Sequence, residues 1–253
     1  MKNYKITLAY DGTRYNGWQK QGNTENTIQE RLVRIFFELT GKETEVFGSG
    51  RTDAGTHATG QVMNVHLDWQ GTAEGLLDAL NLRLPEDIAG LAIAEMPQRF
   101  HSRLSAKAKH YSYTLWTAKR PPVFERKYVF RCEKELDVEK MRQAAKAFLG
   151  THDFKSFCAN KRMKKSTVRT IYDIRFEETE EKLTLHFYGN GFLYQMVRIL
   201  TGTLIEVGEG KKTVEEMPLI LEGKQREMAG FTAPSRGLFL REVYYEGWKE
   251  GEK

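Results

Sequence analysis

The chain has 253 residues, 40% hydrophobic and 29% charged, with a formal net charge of +5. This balance excludes a disordered chain and fits one large domain or two of ordinary size. The most apolar stretch, Phe192–Leu200, contains Gln195 and Arg198, so nothing approaches the roughly 18 apolar residues of a membrane span.

Tyr4, Ile6, Leu8 and Tyr10 alternate with Lys5, Thr7 and Ala9, predicting a strand. That opening has no apolar signal core, so secretion is not expected. Thr27 and Glu30 have capping-box spacing ahead of an apolar stripe of Ile28, Leu32, Ile35, Phe36 and Leu39, with Gly41 as the stop. A glycine-rich loop follows over Gly48–Gly60, then a strand over Gln61–Leu67, a short helix over Thr72–Leu82 and a strand over Leu91–Met96.

A similar order then recurs. His110–Trp116 alternates as a strand, and Asp137 caps a helix bearing Val138, Met141, Ala145 and Phe148 that ends near Gly150. Tyr172–Phe176 and Leu183–Phe187 form a hairpin around Glu177–Glu181. Asn190 is placed to cap a long helix from about Gly191 to Val207. Thr213 and Glu216 suggest another capping box, with Pro218 limiting that helix, and Leu238–Tyr245 is the last strand. The expected fold is α+β, with two ferredoxin-like subdomains sharing a largely antiparallel sheet, helices on one side and a basic cleft between the halves. The halves are expected at 1–104 and 105–253, with no Pro-, Gly- or Ser-rich linker to mark the join.

Positive charge is clustered. Ser102–Arg131 holds eight basic residues against the single acid Glu125, and Lys161–Arg169 holds five with no acid. Either run alone is an ordinary solvated loop as readily as a polyanion site. Together, with Tyr111, Tyr113, Trp116, Phe124 and Tyr128 between them, they favour nucleic acid. Cys132 and Cys158 form no CxxC pair, and the six histidines show no metal-binding spacing. A reducing cytoplasm and no structural zinc are therefore expected.

The segment GSGRTDAGTHATGQV, residues 48–62, surrounds Arg51, Thr52, Asp53 and His57 with glycines. It matches neither dinucleotide nor P-loop spacing. Asp53 suits a nucleophile, a base or a metal ligand, and equally an Asx-turn. A second feature weights the functional side. Arg198 is the single charge of GFLYQMVRILTGTLIEV before Glu206. On a helical wheel it lies opposite Phe192, Met196, Ile199, Leu200, Thr203 and Val207, one turn beyond Tyr194. A guanidinium in so apolar a helix points to an anionic partner, with Asp53 the candidate, and otherwise reads as a surface or dimer-contact residue. Such a pair would hold the carboxylate ionised and aimed.

AYDGTRYNGWQKQ (9–21), the 48–62 loop, FHSRLSAKAKHYSYTLW (100–116), GNGFLYQMVRILTGTLIEVGEGK (189–211) and TAPSRGLFL (232–240), in this order, closely resemble the bacterial tRNA pseudouridine synthase A family. The resemblance runs from Tyr4 to about Tyr245. It implies an isomerase that converts uridine to pseudouridine in the anticodon stem-loop of tRNA. It also implies no cofactor, no metal, no membrane, a cytoplasmic location and a homodimer. Asp53 matches the family's nucleophile. Arg51 matches the arginine that helps expel the target nucleotide, and Tyr111 matches the tyrosine that packs on the flipped base. Arg198 matches the basic partner of the aspartate. Without the resemblance, Tyr111 reads as core. Thr56 departs from the family, where valine is common, and Ser235–Gly237 falls in a variable stretch.

The chemistry suits these residue types. The N1–C1′ bond breaks, the uracil turns in place and C5 bonds to C1′, so no redox partner or second substrate is consumed. A carboxylate can add to the base or to C1′, or assist loss of the 2′-proton, and the sequence favours none of these. A rival reading is RNA binding without catalysis, against which stands the set of Asp53, Arg198 and Tyr111. Another is phosphoryl transfer or hydrolysis through an acyl-aspartate, for which no metal or P-loop pattern is present. His57 is expected to shape the loop rather than transfer protons.

Overall fold

The computed structural model describes residues 1–160 and 162–248. Contacts divide the chain into two compact units. One is Met1–Lys107 joined by the segment from Phe239, and the other is Ala108–Leu238. Both are mixed α+β with mostly antiparallel strands.

The first unit is built on β1 (Lys2–Tyr10), which pairs antiparallel with β3 (His57–Leu67) and β4 (Ile88–Met96). Its alternation sends Tyr4, Ile6, Leu8 and Tyr10 into the core. Each such side chain contributes about 1.5–3 kcal/mol by leaving water. α1 (Ile28–Thr40) begins where Thr27 accepts the Glu30 N–H at 3.2 Å and ends at left-handed Gly41. The Glu30 carboxylate does not complete the capping box; it pairs with Lys20 at 3.0 Å and Arg34 at 3.4 Å. α2 (Ala73–Asn81) is capped by Thr72.

Three features differ from expectation. β3 starts at His57, four residues before the expected strand, so Gly60 lies inside it. A short β2 (Val46–Gly48) makes a hairpin with β3, pairing Val46 with Val65 and Gly48 with Met63. The last strand, β10 (Leu238–Tyr244), expected with the second half, pairs in parallel with β3 of the first at Phe239↔His57 and Leu240↔Ala58. Strand partners depend on long-range register, which periodicity does not encode.

In the second unit, β5 (Ala108–Trp116), β9 (Lys182–Gly189), β8 (Val168–Glu178) and β7 (Gly150–Asp153) follow in that order, with β6 (Phe130–Arg131) also on β5. α3 (Val138–Lys146) is capped by Asp137, whose carboxylate accepts the Lys140 N–H at 3.0 Å. It packs on α4 (Met196–Gly208), which also meets β5. α4 begins five residues later than expected. Asn190 is committed to the end of β9, where its amide oxygen accepts the Thr170 N–H of β8 at 3.0 Å, so it does not cap the helix. α5 (Glu216–Gly223) runs through Pro218. Proline is tolerated in a first turn because its missing N–H has no intrahelical partner there. Glu216 still reaches back to the Thr213 N–H at 2.6 Å.

Candidate active site

Asp53 lies half-buried in the eight-residue connection between β2 and β3, residues 49–56. This connection is fastened mainly to a remote stretch, residues 10–19. The Trp18 N–H donates to the Thr52 carbonyl at 3.1 Å, and the Gly55 N–H to the Tyr15 carbonyl at 3.3 Å. Two glycines make this approach possible. Gly17 has φ +91°, and a Cβ there would stand 2.7 Å from the Thr52 oxygen; a Cβ on Gly12 would stand 2.0 Å from the Thr56 oxygen. Across the turn itself, the Thr56 N–H donates to the Asp53 carbonyl at 3.1 Å.

Buried polar side chains secure the same loop. The hydroxyls of Tyr10 and Thr52 share a hydrogen bond of 2.8 Å. Gln61 accepts from the Ser49 hydroxyl at 2.7 Å and donates to the Gly50 carbonyl at 3.0 Å. Burial pushes the Tyr10 phenol up to about 12, so it stays neutral at physiological pH. Such a network rigidifies because each buried group left unpaired would cost about 1–3 kcal/mol. Thr56 is buried, and its hydroxyl finds no hydrogen-bond partner among the described residues.

Arg51 is exposed, and its Nε donates to Gln19 Oε1 at 3.0 Å. Gln19 in turn donates to Gln29 at 2.8 Å, tying the arginine to the first turn of α1. His57 is buried. Its ring stacks on Phe239 at 4.6 Å, and its Nδ1 accepts the Gly12 N–H at 3.1 Å. Those contacts suit a residue that shapes the loop.

Tyr111 and Arg198 belong to the second unit. Tyr111 is buried on β5 opposite Phe187, with the Phe192 ring edge-on to it at 5.2 Å. Arg198 lies half-buried in the first turn of α4, and its Nε donates to the Ala233 carbonyl at 2.7 Å. The Ala233 N–H returns a bond to the Arg198 carbonyl at 3.1 Å. The next residue, Pro234, accepts the Tyr113 hydroxyl at 2.7 Å. Residues 233–234 therefore tie the strand of Tyr111 to the helix of Arg198. The expected wheel is corrected at its start, where Phe192 and Tyr194 both precede the helix. Tyr194 precedes the helix, is 55% exposed, and is followed by left-handed Gln195, φ 60°.

Asp53 and Arg51 thus share one loop, while Tyr111 and Arg198 share a second framework. Sequence reasoning missed the groups that position them: Tyr10, Gln61, Gly12 and Gly17 for the loop, and Phe192 and Ala233 for the other pair. The only signal for them was that they fall within segments 9–21, 48–62, 189–211 and 232–240. In the two basic runs, Arg103, Lys107, Lys119, Arg120, Arg126, Lys127, Arg131, Arg162, Lys164 and Lys165 are exposed, and Lys161 lies outside the described residues. Among the described residues no cluster of three His, Cys, Asp or Glu side chains could hold a metal ion, and no helix is long and apolar enough to cross a membrane.

Residues 6–104 and 144–246 match a family model described as tRNA pseudouridine synthase. The chain is similar to tRNA pseudouridine synthase A of Bacillus sp. (strain KSM-64), 44% identical over 245 residues, covering 97% of this chain and 100% of the relative. It is 43% identical over 245 residues to tRNA pseudouridine synthase A 2 of Bacillus anthracis, with the same coverage. Among solved structures, a Cbf5–Nop10–Gar1 complex aligns at 13% identity and a TM-score of 0.38, over 94% of this chain and 48% of that one. The chain thus spans about half of that protein, and the likeness is too remote to bear on the fold.

Proposed function

Because the chain belongs to the tRNA pseudouridine synthase family, whose members are isomerases acting on uridine in tRNA, we propose that Asp53 is its nucleophile and that its target lies in the anticodon stem-loop. The observation that carries this reading is the half-buried carboxylate of Asp53 on a loop fastened from two sides, within the segment that most resembles the family. Rigid placement of this kind is what a reacting group requires.

A uracil stacked in a stem is beyond reach, so the nucleotide swings out at a cost of a few kcal/mol. Arg51, exposed and steadied by Gln19, fills the space left behind and contacts nearby phosphate. Tyr111 gives the detached base a flat surface, and Phe192 fixes the angle of that ring. Arg198, anchored by Ala233, is the basic residue that this reading assigns to the carboxylate. The N1–C1′ bond breaks, C5 bonds to C1′, C5 gives up its proton and N1 takes one. The exposed basic runs follow tRNA phosphates, each contact steepening the salt dependence of binding by about 0.7–0.9 in log–log slope. A homodimer in the cytoplasm completes the reading.

The test is to map pseudouridine in tRNA from a strain lacking this gene, complemented with wild type or with Asp53→Ala. Pseudouridine should vanish from the anticodon stem-loop and return only with the wild-type gene. An unchanged map, or rescue by the variant, contradicts the proposal.

A further inference from the structure

The segment joining β5 to β6, residues 117–129, carries an aromatic side chain that the proposed chemistry does not use. Phe124 is 91% exposed and its neighbour Val123 is 58% exposed. This tip is not a frayed loop. Pro122 and Val129 are buried on either side of it. The Trp116 indole donates to the Arg120 carbonyl at 2.7 Å, and the Cys132 N–H to the Trp116 carbonyl at 2.9 Å. The Thr117 N–H bonds the Glu181 carbonyl at 2.8 Å, Glu181 pairs with Arg120, and Lys182 pairs with Glu125. The Arg131 guanidinium closes the base on the Lys119 carbonyl at 2.9 Å. At the tip, the Val123 N–H bonds the Pro121 carbonyl at 3.0 Å, and Arg126 holds the Val123 carbonyl.

We propose that Phe124 is a stacking platform for an unpaired base of the bound tRNA, distinct from the nucleotide that Asp53 engages. This rests on the reading that tRNA is the substrate. The charge of the segment supports RNA as the occupant. Lys119, Arg126 and Lys127 are exposed within it, and its single acid, Glu125, is already engaged by Lys182. An aromatic face within exposed cations is the pairing that holds single-stranded bases, because every base offers a π-face while its phosphates seek positive charge. Two apolar side chains fall far short of the roughly 800 Å² per partner of a stable protein interface, and this basic segment would repel the same segment of a second copy. Fixing the segment at its base leaves the ring in place for the RNA, so little ordering is required on binding.

The test uses the full-length protein and an unmodified tRNA transcript at one fixed salt concentration, with wild type, Phe124→Ala and Phe124→Trp. Loss of one stacked base should weaken tRNA binding by about 5- to 150-fold for the alanine variant. KM for tRNA should rise in parallel while kcat stays within about twofold, and tryptophan should restore both. The salt slope should not change, since no phosphate contact is removed. Wild-type affinity in Phe124→Ala overturns the proposal. So does a defect confined to self-association in sedimentation or to binding of anionic vesicles. Tritium release from C5-labelled tRNA by the wild type is followed alongside. If the wild type releases none, the proposed function fails; if it does, and Phe124→Ala binds normally, only the stacking role fails.

Discussion

The Asp53 loop and the Phe124 segment both join neighbouring strands, and both carry the side chain of interest near the middle. They are held in opposite ways. The Asp53 loop is bonded through backbone and buried side chains to residues 10–19, some 40 positions away in sequence. The Phe124 segment is tied mainly within itself and to the β8–β9 turn, through partly exposed ion pairs, and its tip stands clear. A group that must meet a reacting atom is constrained from several directions, whereas a group that only offers a surface is supported from below.

That contrast can be broken at defined places. The largest effect is expected from Gly17→Val, which combines a left-handed backbone with a Cβ 2.7 Å from the Thr52 oxygen. It should cost about 2–4 kcal/mol of stability and more than tenfold in kcat, read by thermal melting and turnover. Stability near wild type would show that the 10–19 stretch does not brace the loop. Gln61→Leu keeps the volume but leaves Ser49 and the Gly50 carbonyl without that partner, for a loss of about 1–3 kcal/mol and a lower kcat at unchanged KM. A rise in KM alone would argue that Gln61 serves RNA binding instead. The smallest effect is expected in the other region. Glu125→Gln removes a partly exposed ion pair with Lys182 and should shift stability by less than about 1 kcal/mol with turnover intact. A shift as large as that of Gln61→Leu would erase the distinction between the two loops.

Features encoded locally were legible in the sequence. The Thr27 and Asp137 caps each bond an N–H three residues on, a contact decided within one turn. The strand β1 follows from period-two burial, whereas β5, expected from alternation, is buried on both faces from Tyr111 to Trp116. What required partners distant in sequence was hidden. Nothing near Asn190 discloses that it serves Thr170, so the start of α4 was placed too early. The parallel pairing of Phe239 with His57 left no trace in either strand. In the candidate site, Asp53, Arg51 and Arg198 stood out by residue type and resemblance, and Tyr111 by resemblance alone. Tyr10 and Gln61 did not, because a buried hydroxyl or amide gains meaning only from the groups it meets across the fold.

The central claim is that the Asp53 carboxylate takes part in the chemistry and is not a prop for its loop. Asp53→Asn preserves shape and one acceptor oxygen while replacing the other with an NH2 donor and removing the negative charge. Release of tritium from C5-labelled uridine in tRNA, at saturating enzyme, should fall to background with thermal stability and tRNA affinity near wild type. Release at a rate close to wild type, or loss of release only because the variant fails to fold, would contradict the account.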